Sequence, residues 1–225
     1  MKFFLTSAGI VNPSLRDALV DMLGKPIEEA TALFVPTAIY GLPKTGPEMS
    51  YKCITGQVPS KLPDIGWKSV GVLELTALPT LKPDAWVPVV EAADALLVNG
   101  GDCLYLAHWM RQSGLAELMP TLGRDMVYVG LSAGSMIMAP SFGGSTFGKV
   151  NVPGVDGRGL GFVDFAIYPH LEHEMFPDNT IANCQRWAAK ERLPTYAIDD
   201  DTGVRSIDGR VDVISEGAWQ LCTPD

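Results

Sequence analysis

One serine of the chain lies in a sequence context typical of a nucleophile. Ser132 is the central residue of Gly130–Gly134, a Gly-x-Ser-x-Gly pentapeptide. The apolar run 126–129 precedes it and predicts a short buried strand, and a short apolar helix is predicted after it, which is the strand–turn–helix context of a nucleophile elbow. The glycines permit a tight turn, and the first N–H groups of the helix would face a developing oxyanion. We therefore predict Ser132 as the nucleophile and the N–H of Ala133 as an oxyanion donor.

A serine nucleophile needs a general base, and the chain offers three histidines. His170 follows the apolar run 165–168 and Pro169, so we expect it where a strand runs out into a loop, the usual place for a catalytic group in an α/β sheet. His173 lies three residues further on, and His108 lies in a predicted helix. We predict His170 as the base, with His173 and then His108 as the alternatives.

An acid must orient the imidazole and stabilise its cationic form. The run Asp199–Asp201 follows the apolar residues 196–198 and is the foremost candidate segment. Asp156 and Asp164, which lie between the serine and His170, are its competitors. The order Ser, His, Asp differs from the Ser, Asp, His order of the α/β-hydrolases, so we expect the elbow to be carried by another α/β sheet.

A second strand-to-turn junction occurs at residues 94–102, where an apolar run ends in Asn99-Gly100-Gly101-Asp102. Paired glycines let backbone N–H groups approach a substrate closely, so the turn could cradle a phosphate or donate to an oxyanion. No Gly-Lys-Ser/Thr follows, and no Gly-x-Gly-x-x-Gly is present, which excludes the common nucleotide loops. We predict that the N–H of Gly101 faces the elbow as an oxyanion donor, with a simple tight turn as the alternative.

The chain alternates between strand-like and helical patterns, which predicts an α/β fold with a mainly parallel sheet and helices on both faces. We predict strands at Phe3–Thr6, Ala32–Pro36, Val70–Leu75, Leu96–Asn99, Val127–Gly130 and Phe165–Tyr168, and helices at 13–23, 84–93, 103–112, 115–123 and 179–191. The Asp-Gly step within 205–213 predicts a hairpin with a type I′ turn. Since no repeat, charge block or linker is found, we expect one domain over residues 1–225.

Composition limits the functions that the chain could have. A net charge of −9 argues against binding to nucleic acid. The four cysteines are far apart without a Cys-x-x-Cys motif, so we expect reduced thiols in a cytoplasmic protein. No signal peptide and no 18-residue apolar stretch is found, so we expect no membrane partner. Histidines and acids at 170–178 lack a His-Glu-x-x-His pattern, so we expect no metal and no cofactor.

The residues between the elbow and His170 form a long segment, 141–161, with seven glycines. Such a chain is poorly suited to a core and well suited to covering a site. We hypothesise that it narrows the entrance to Ser132, with an ordinary surface loop as the alternative.

Taken in order, these motifs resemble the peptidase E (α-aspartyl dipeptidase) family of serine peptidases, whose relatives include cyanophycinase. The resemblance rests on Lys2–Gly9, Asn99–Asp102, Val129–Gly134, Pro169-His170 and Ile198–Asp200 with Thr202, and it covers most of the chain. It implies a fold like that of class I glutamine amidotransferases, which is flavodoxin-like, with serine in place of cysteine at the elbow.

The resemblance also implies an activity and a site. It implies hydrolysis of short peptides, including dipeptides with an amino-terminal Asp, and it assigns the acid to Asp200, since relatives carry a Glu there. Some members use an Asp shortly after the nucleophile, but residues 141–149 contain no acid, which leaves Asp156 as the alternative. A cation for an Asp side chain stays unassigned among Lys149, Arg158, Arg186 and Arg205.

Other functions remain open at this stage. The alternatives are hydrolysis of another aspartate-derived amide, as in cyanophycin, and a non-catalytic binder of small molecules on the same scaffold. We expect a short peptide as the partner and leave a homodimer open.

Overall fold

A computed structural model describes residues 1–43, 46–58, 60–123, 125–143 and 156–224. The strands in this part of the chain are β1 Lys2–Thr6, β2 Thr31–Val35, β3 Ser69–Val72, β4 Ala95–Val98, β5 Val127–Leu131, β6 Ala166–Tyr168, β7 Thr195–Ile198, β8 Thr202–Ile207, β9 Arg210–Ser215 and β10 Trp219–Cys222. The α-helices are α1 Pro13–Leu23, α2 Thr37–Tyr40, α3 Gly46–Ile54, α4 Pro83–Glu91, α5 Cys103–Gln112, α6 Leu115–Leu118, α7 Ala133–Met136 and α8 Ile181–Glu191. Most of the segment 141–161, to which we gave an entrance-narrowing role, lies outside the described residues.

The larger sheet has seven strands in the order β3-β2-β4-β5-β1-β8-β9. The first five are parallel, and β8 and β9 continue the sheet as an antiparallel pair. The turn between β8 and β9 places both Asp208 and Gly209 at positive φ, as a type I′ turn requires. The mainly parallel α/β sheet and the hairpin predicted from the sequence are therefore confirmed.

The smaller sheet has three strands in the order β10-β7-β6. The predicted strand at 165–168 forms as β6, but it pairs with β7 and not with the large parallel sheet. The reason is that β8 pairs along the free edge of β1, so this edge of the large sheet is already occupied. This sheet carries the chain into the loop that contains His170.

Both faces of the large sheet are covered. Side chains of one strand alternate between two apolar clusters, so that Phe3 and Leu5 of β1 lie in one cluster and Phe4 lies in the other. Helices α4, α5 and α7 supply the first cluster, and α1 supplies the second with Leu15, Ala18, Leu19, Met22 and Leu23. Because both faces of the sheet are buried, the sequences of its central strands are nearly continuous apolar runs.

The carboxyl ends of the parallel strands meet at one edge of the large sheet. Thr6 ends β1, and its register partners are Leu131 at the end of β5 and Gly203 at the start of the antiparallel strand β8. The residues that follow β1 and β5 therefore lie beside the residue that precedes β8. Loops at this edge are where α/β sheets bind their ligands.

The turn from β5 into α7 requires glycine at two positions because backbone approaches backbone. A Cβ atom on Gly134 would lie 2.2 Å from the carbonyl oxygen of Val98, and one on Gly130 would lie 2.7 Å from the N of Ser135. These distances are shorter than real Cβ contacts, so Gly134 lets α7 pack against the end of β4, and Gly130 lets the end of β5 lie against the backbone of α7.

We expect Gly134→Ala to lower the free energy of unfolding by about 2 kcal/mol, because the methyl group must push α7 from β4. Helix propensity alone would have the opposite sign, a gain of about 1 kcal/mol. Urea denaturation measures the change. Gly123→Ala is the matched control, since a Cβ there meets nothing within 4 Å. Equal or greater stability of Gly134→Ala would contradict the close approach of α7 to β4.

Candidate active site

Ser132 lies at the turn between β5 and α7 in a strained backbone conformation. Its φ is 48° and its ψ is −108°, a combination that costs a non-glycine residue about 1–3 kcal/mol. The strain is held by hydrogen bonds to the end of β1. The N–H of Ser132 donates to the carbonyl of Thr6 at 3.1 Å, and the Thr6 hydroxyl donates to the carbonyl of Gly130 at 2.7 Å. The hydroxyl of Ser132 is thereby presented at the sheet edge.

Three side chains predicted from the sequence lie in a continuous hydrogen-bonded chain. The Oγ of Ser132 is 3.0 Å from the Nε2 of His170, and the Nδ1 of His170 is 2.7 Å from the Oδ1 of Asp200. The imidazole is largely buried, with 16% of its side chain exposed. A hydroxyl, an imidazole and a carboxylate in this arrangement can pass the hydroxyl proton to the imidazole and stabilise the resulting cation.

The loop after β6 fixes the position of the imidazole. His170 has a φ of 57°, a left-handed conformation that is rare for histidine. Asn179 donates a hydrogen bond to the carbonyl of Pro169 at 2.9 Å, and Leu171 donates its N–H to Ile198 of β7. The ring of Phe176 stacks on the imidazole, with 4.7 Å between ring centroids and 15° between planes. These contacts aim the ring at Ser132.

Ser7 is a site residue that the sequence analysis did not single out. It is fully buried directly after β1, where its hydroxyl donates to the Oδ1 of Asp200 at 2.6 Å and accepts from the backbone N–H of His170 at 2.8 Å. One hydroxyl thus joins the histidine loop to the acid. Its position at the carboxyl end of a central strand was the only signal in the sequence that could have identified it.

The carboxyl of Asp200 is held in its charged form. Burial acts to raise the pKa of Asp200, but the hydrogen bonds from His170 and Ser7 and the nearby imidazoles outweigh burial and lower that pKa below its ordinary value. Because the pKa of Asp200 is lower in the folded protein than in the unfolded chain, Asp200 stabilises the fold at pH values above its unfolded pKa. This stabilisation is lost as the pH falls through its folded pKa. Asp200 therefore stays ionised beside the imidazole at neutral pH.

The other acids considered from the sequence lie away from His170. Asp199 accepts hydrogen bonds from Asp201 and Thr202, which shapes the turn between β7 and β8. Asp156 is exposed and pairs with Arg158 at 2.7 Å. Asp164 is exposed at a separate surface depression beside Phe3. Among the described residues, Asp200 is the acid that contacts His170.

The two remaining histidines occupy different surroundings. The Nε2 of His173 lies 3.6 Å from the Oδ2 of Asp200, the carboxylate oxygen other than the one that His170 contacts. His108 packs edge-on against Trp109 and lines a different surface depression. Neither histidine has a hydrogen bond to Ser132 in the part of the chain that is described.

The glycine turn after β4 lies directly against the elbow. A Cβ on Gly100 would lie 3.2 Å from the Cβ of Ser132. Gly101 has a φ of 142°, and a Cβ there would lie 2.3 Å from the carbonyl of Ala38. Within the described ranges, the N–H groups of Gly101 and Ala133 have no hydrogen-bond acceptor. Gly101 and Ser132 also line the same cavity.

A cavity of about 460 Å³ opens beside Ser132. Its walls come from the turns after β4, β5 and β6, together with α2 and α3. Of the cations considered for an aspartyl substrate, Arg158, Arg186 and Arg205 do not line it, and Lys149 lies outside the described residues.

No group of three or more metal-ligating side chains is found where the chain is described. No helix there has the length and apolarity to cross a membrane.

Known proteins are similar to this chain in sequence and in fold. The sequence model of peptidase family S51 matches residues 3–214. Two solved structures are similar. A candidate peptidase E protein from Listeria monocytogenes EGD-e has a TM-score of 0.68 and 19% identity, and the match covers 96% of this chain and 98% of that one. A peptidase from an acI-B1 Actinobacterium has a TM-score of 0.67 and 17% identity, and the match covers 99% of this chain and 90% of that one. No curated protein matches. The structural likeness confirms the predicted class I glutamine amidotransferase-like fold.

We expect Ser7→Ala to raise the pKa of Asp200, because the carboxylate loses one of the hydrogen bonds that favour its charged form. Carbon-detected NMR titration of the Asp200 carboxyl measures the shift. Ser141→Ala is the control, since it removes a serine–carboxylate hydrogen bond to Glu191 far from the site. An unchanged pKa of Asp200 in a folded Ser7→Ala variant would contradict the contribution of Ser7.

Proposed function

Because the chain belongs to peptidase family S51 and is a serine peptidase, we propose that it hydrolyses short peptides with Ser132, His170 and Asp200 as its catalytic residues. The observation that carries the proposal is the continuous chain of hydrogen bonds from the hydroxyl of Ser132 through the imidazole to the carboxylate. The carboxylate is held ionised by its surroundings, as its role requires.

In the proposed reaction, the Oγ of Ser132 attacks the scissile carbonyl carbon while its proton moves to the Nε2 of His170. Asp200 accepts the Nδ1–H hydrogen bond, so the neutral ring presents an unprotonated Nε2 to the hydroxyl. The carbonyl oxygen becomes an oxyanion between the N–H groups of Gly101 and Ala133.

Collapse of the oxyanion breaks the C–N bond, and the leaving amine takes the proton from His170. A water molecule then attacks the acyl-enzyme ester and gives a proton to the same Nε2. The ester C–Oγ bond breaks, and the Oγ of Ser132 takes that proton back from Nε2, which frees the acid product and restores the hydroxyl. Each step uses the same two backbone donors.

The size of the cavity supports a short substrate. About 460 Å³ lies within the range of roughly 300–1,000 Å³ that is usual for small-molecule sites. Since Ser132 follows the large sheet and His170 follows the small one, we propose that the two sheets work as one catalytic domain.

We expect Ser132→Ala to lower kcat by about 10⁴-fold or more, because it removes the attacking atom and little volume. A fluorophosphonate probe followed by peptide mass spectrometry should label Ser132 in the wild-type chain. Ser135→Ala, which removes a buried hydroxyl bonded to the backbone of Thr6, is the control and should keep the label. Turnover by Ser132→Ala at the wild-type rate would refute the assignment of the nucleophile.

We expect Asp200→Asn to lower kcat by about 10⁴-fold, because an amide does not stabilise the imidazolium and can hold the wrong tautomer. Asp156→Asn is the matched variant, since Asp156 contacts Arg158 at the surface, and its kcat should stay close to the wild-type value. Steady-state kinetics on one dipeptide compares the two. Loss of activity in Asp156→Asn with an active Asp200→Asn would transfer the role of acid to Asp156.

A further inference from the structure

The walls of the cavity beside Ser132 carry mainly carbon and sulfur atoms. Helix α3 contributes Met49 and Cys53, the segment around α2 contributes Ile39 and Leu42, and the remaining apolar wall includes Met136 and Phe176. Side chains of this kind favour an apolar group, because they remove it from water without offering a hydrogen bond.

The described residues that line the cavity include no lysine and no arginine. Of the described residues that line it, His170 is the one that could carry a positive charge, and it is engaged by Asp200. Burial raises the pKa of the Cys53 thiol, and the negative charge of Asp64 raises it further. Cys103 has its thiol pKa raised in the same way, by burial and by Asp102. Among the described walls, a substrate carboxylate therefore has no lysine or arginine to pair with.

The polar groups in the walls are neutral and largely committed to the protein. The side-chain amide of Asn179 donates to the carbonyl of Pro169, and the backbone carbonyl of Asn179 accepts from the N–H of Glu172. The hydroxyl of Ser60 donates to the side chain of Asn99 at 3.4 Å. A substrate carboxylate that entered the cavity would lose its water without gaining a cationic partner from the described walls, which is costly.

The geometry points to a substrate whose apolar side chain enters this cavity. We infer that the residue that supplies the scissile carbonyl carries an unbranched or branched aliphatic side chain, and not the aspartyl side chain that the family resemblance implies. The carbonyl must lie against Ser132 and Gly101, which line the cavity, so the side chain on the adjacent Cα is placed at its walls. This inference rests on the proposed peptidase function.

The test uses the full chain and three dipeptides, Leu-Ala, Asn-Ala and Asp-Ala. Their first side chains have nearly the same shape, so the series changes polarity first and charge second. We expect kcat/KM to fall in that order, with Leu-Ala at least about 100-fold faster than Asp-Ala. Two diphenyl α-aminoalkylphosphonates, with leucine-like and aspartate-like side chains, report the same preference through the rate at which they inactivate Ser132.

Met49→Arg places a cation in the wall of the cavity and should raise the rate on Asp-Ala relative to Leu-Ala. Tyr51→Arg is the matched control, since it adds the same charge to α3 at a side chain that is 59% exposed. It should keep the wild-type ratio.

The outcomes separate the two proposals. Faster cleavage or inactivation with the aspartate-like compounds, or equal rates for both kinds, would overturn the apolar preference while leaving the peptidase proposal in place. Failure of every dipeptide and every phosphonate, with no label on Ser132, would overturn the proposed function and this inference with it.

Discussion

The site depends on the pairing of β1 with β5 on one side and with β8 on the other. The parallel register with β5 places Ser132 beside the end of β1, and the antiparallel register with β8 places Asp200 beside the same end. Ser7, the first residue after β1, therefore lies within hydrogen-bond distance of the acid. A shift of either register by one residue would turn alternate side chains to the opposite face and separate these groups.

Backbone strain is concentrated at the same edge of the sheet. Ser132 and His170 both have positive φ, and Gly101 has a conformation that excludes a side chain. Such conformations persist where the surroundings over-determine them. Here the carbonyl of Thr6 accepts from the N–H of Ser132, and the hydroxyl of Ser7 accepts from the N–H of His170. The end of β1 thus holds both strained residues, and the contacts that hold them also hold the hydroxyl and the imidazole together.

Local signals in the sequence were sufficient for the parts of the fold that depend on local structure. The apolar runs predicted β1, β2, β4 and β5, and the Asp-Gly step predicted the β8–β9 turn. The separate sheet of β6 was not predicted, because it follows from which edge β8 occupies, and this is a long-range contact. Ser7 was missed for the same reason. Met49 and Cys53 were missed because they lie on α3, which is not among the helices predicted from the sequence.

One electrostatic rule governs both the acid and the substrate. Asp200 is half-buried and yet charged, because Ser7 donates to it and His170 stands beside it. Without those partners, burial would favour its neutral form. The cavity beside Ser132 is lined mainly by apolar side chains, and its described walls offer a substrate carboxylate no lysine or arginine. The groups that stabilise a buried carboxylate, the hydroxyl of Ser7 and the imidazole of His170, are thus both bound to Asp200. A second carboxylate, brought by the substrate, would lose its water in the cavity without a comparable set of partners among the described walls.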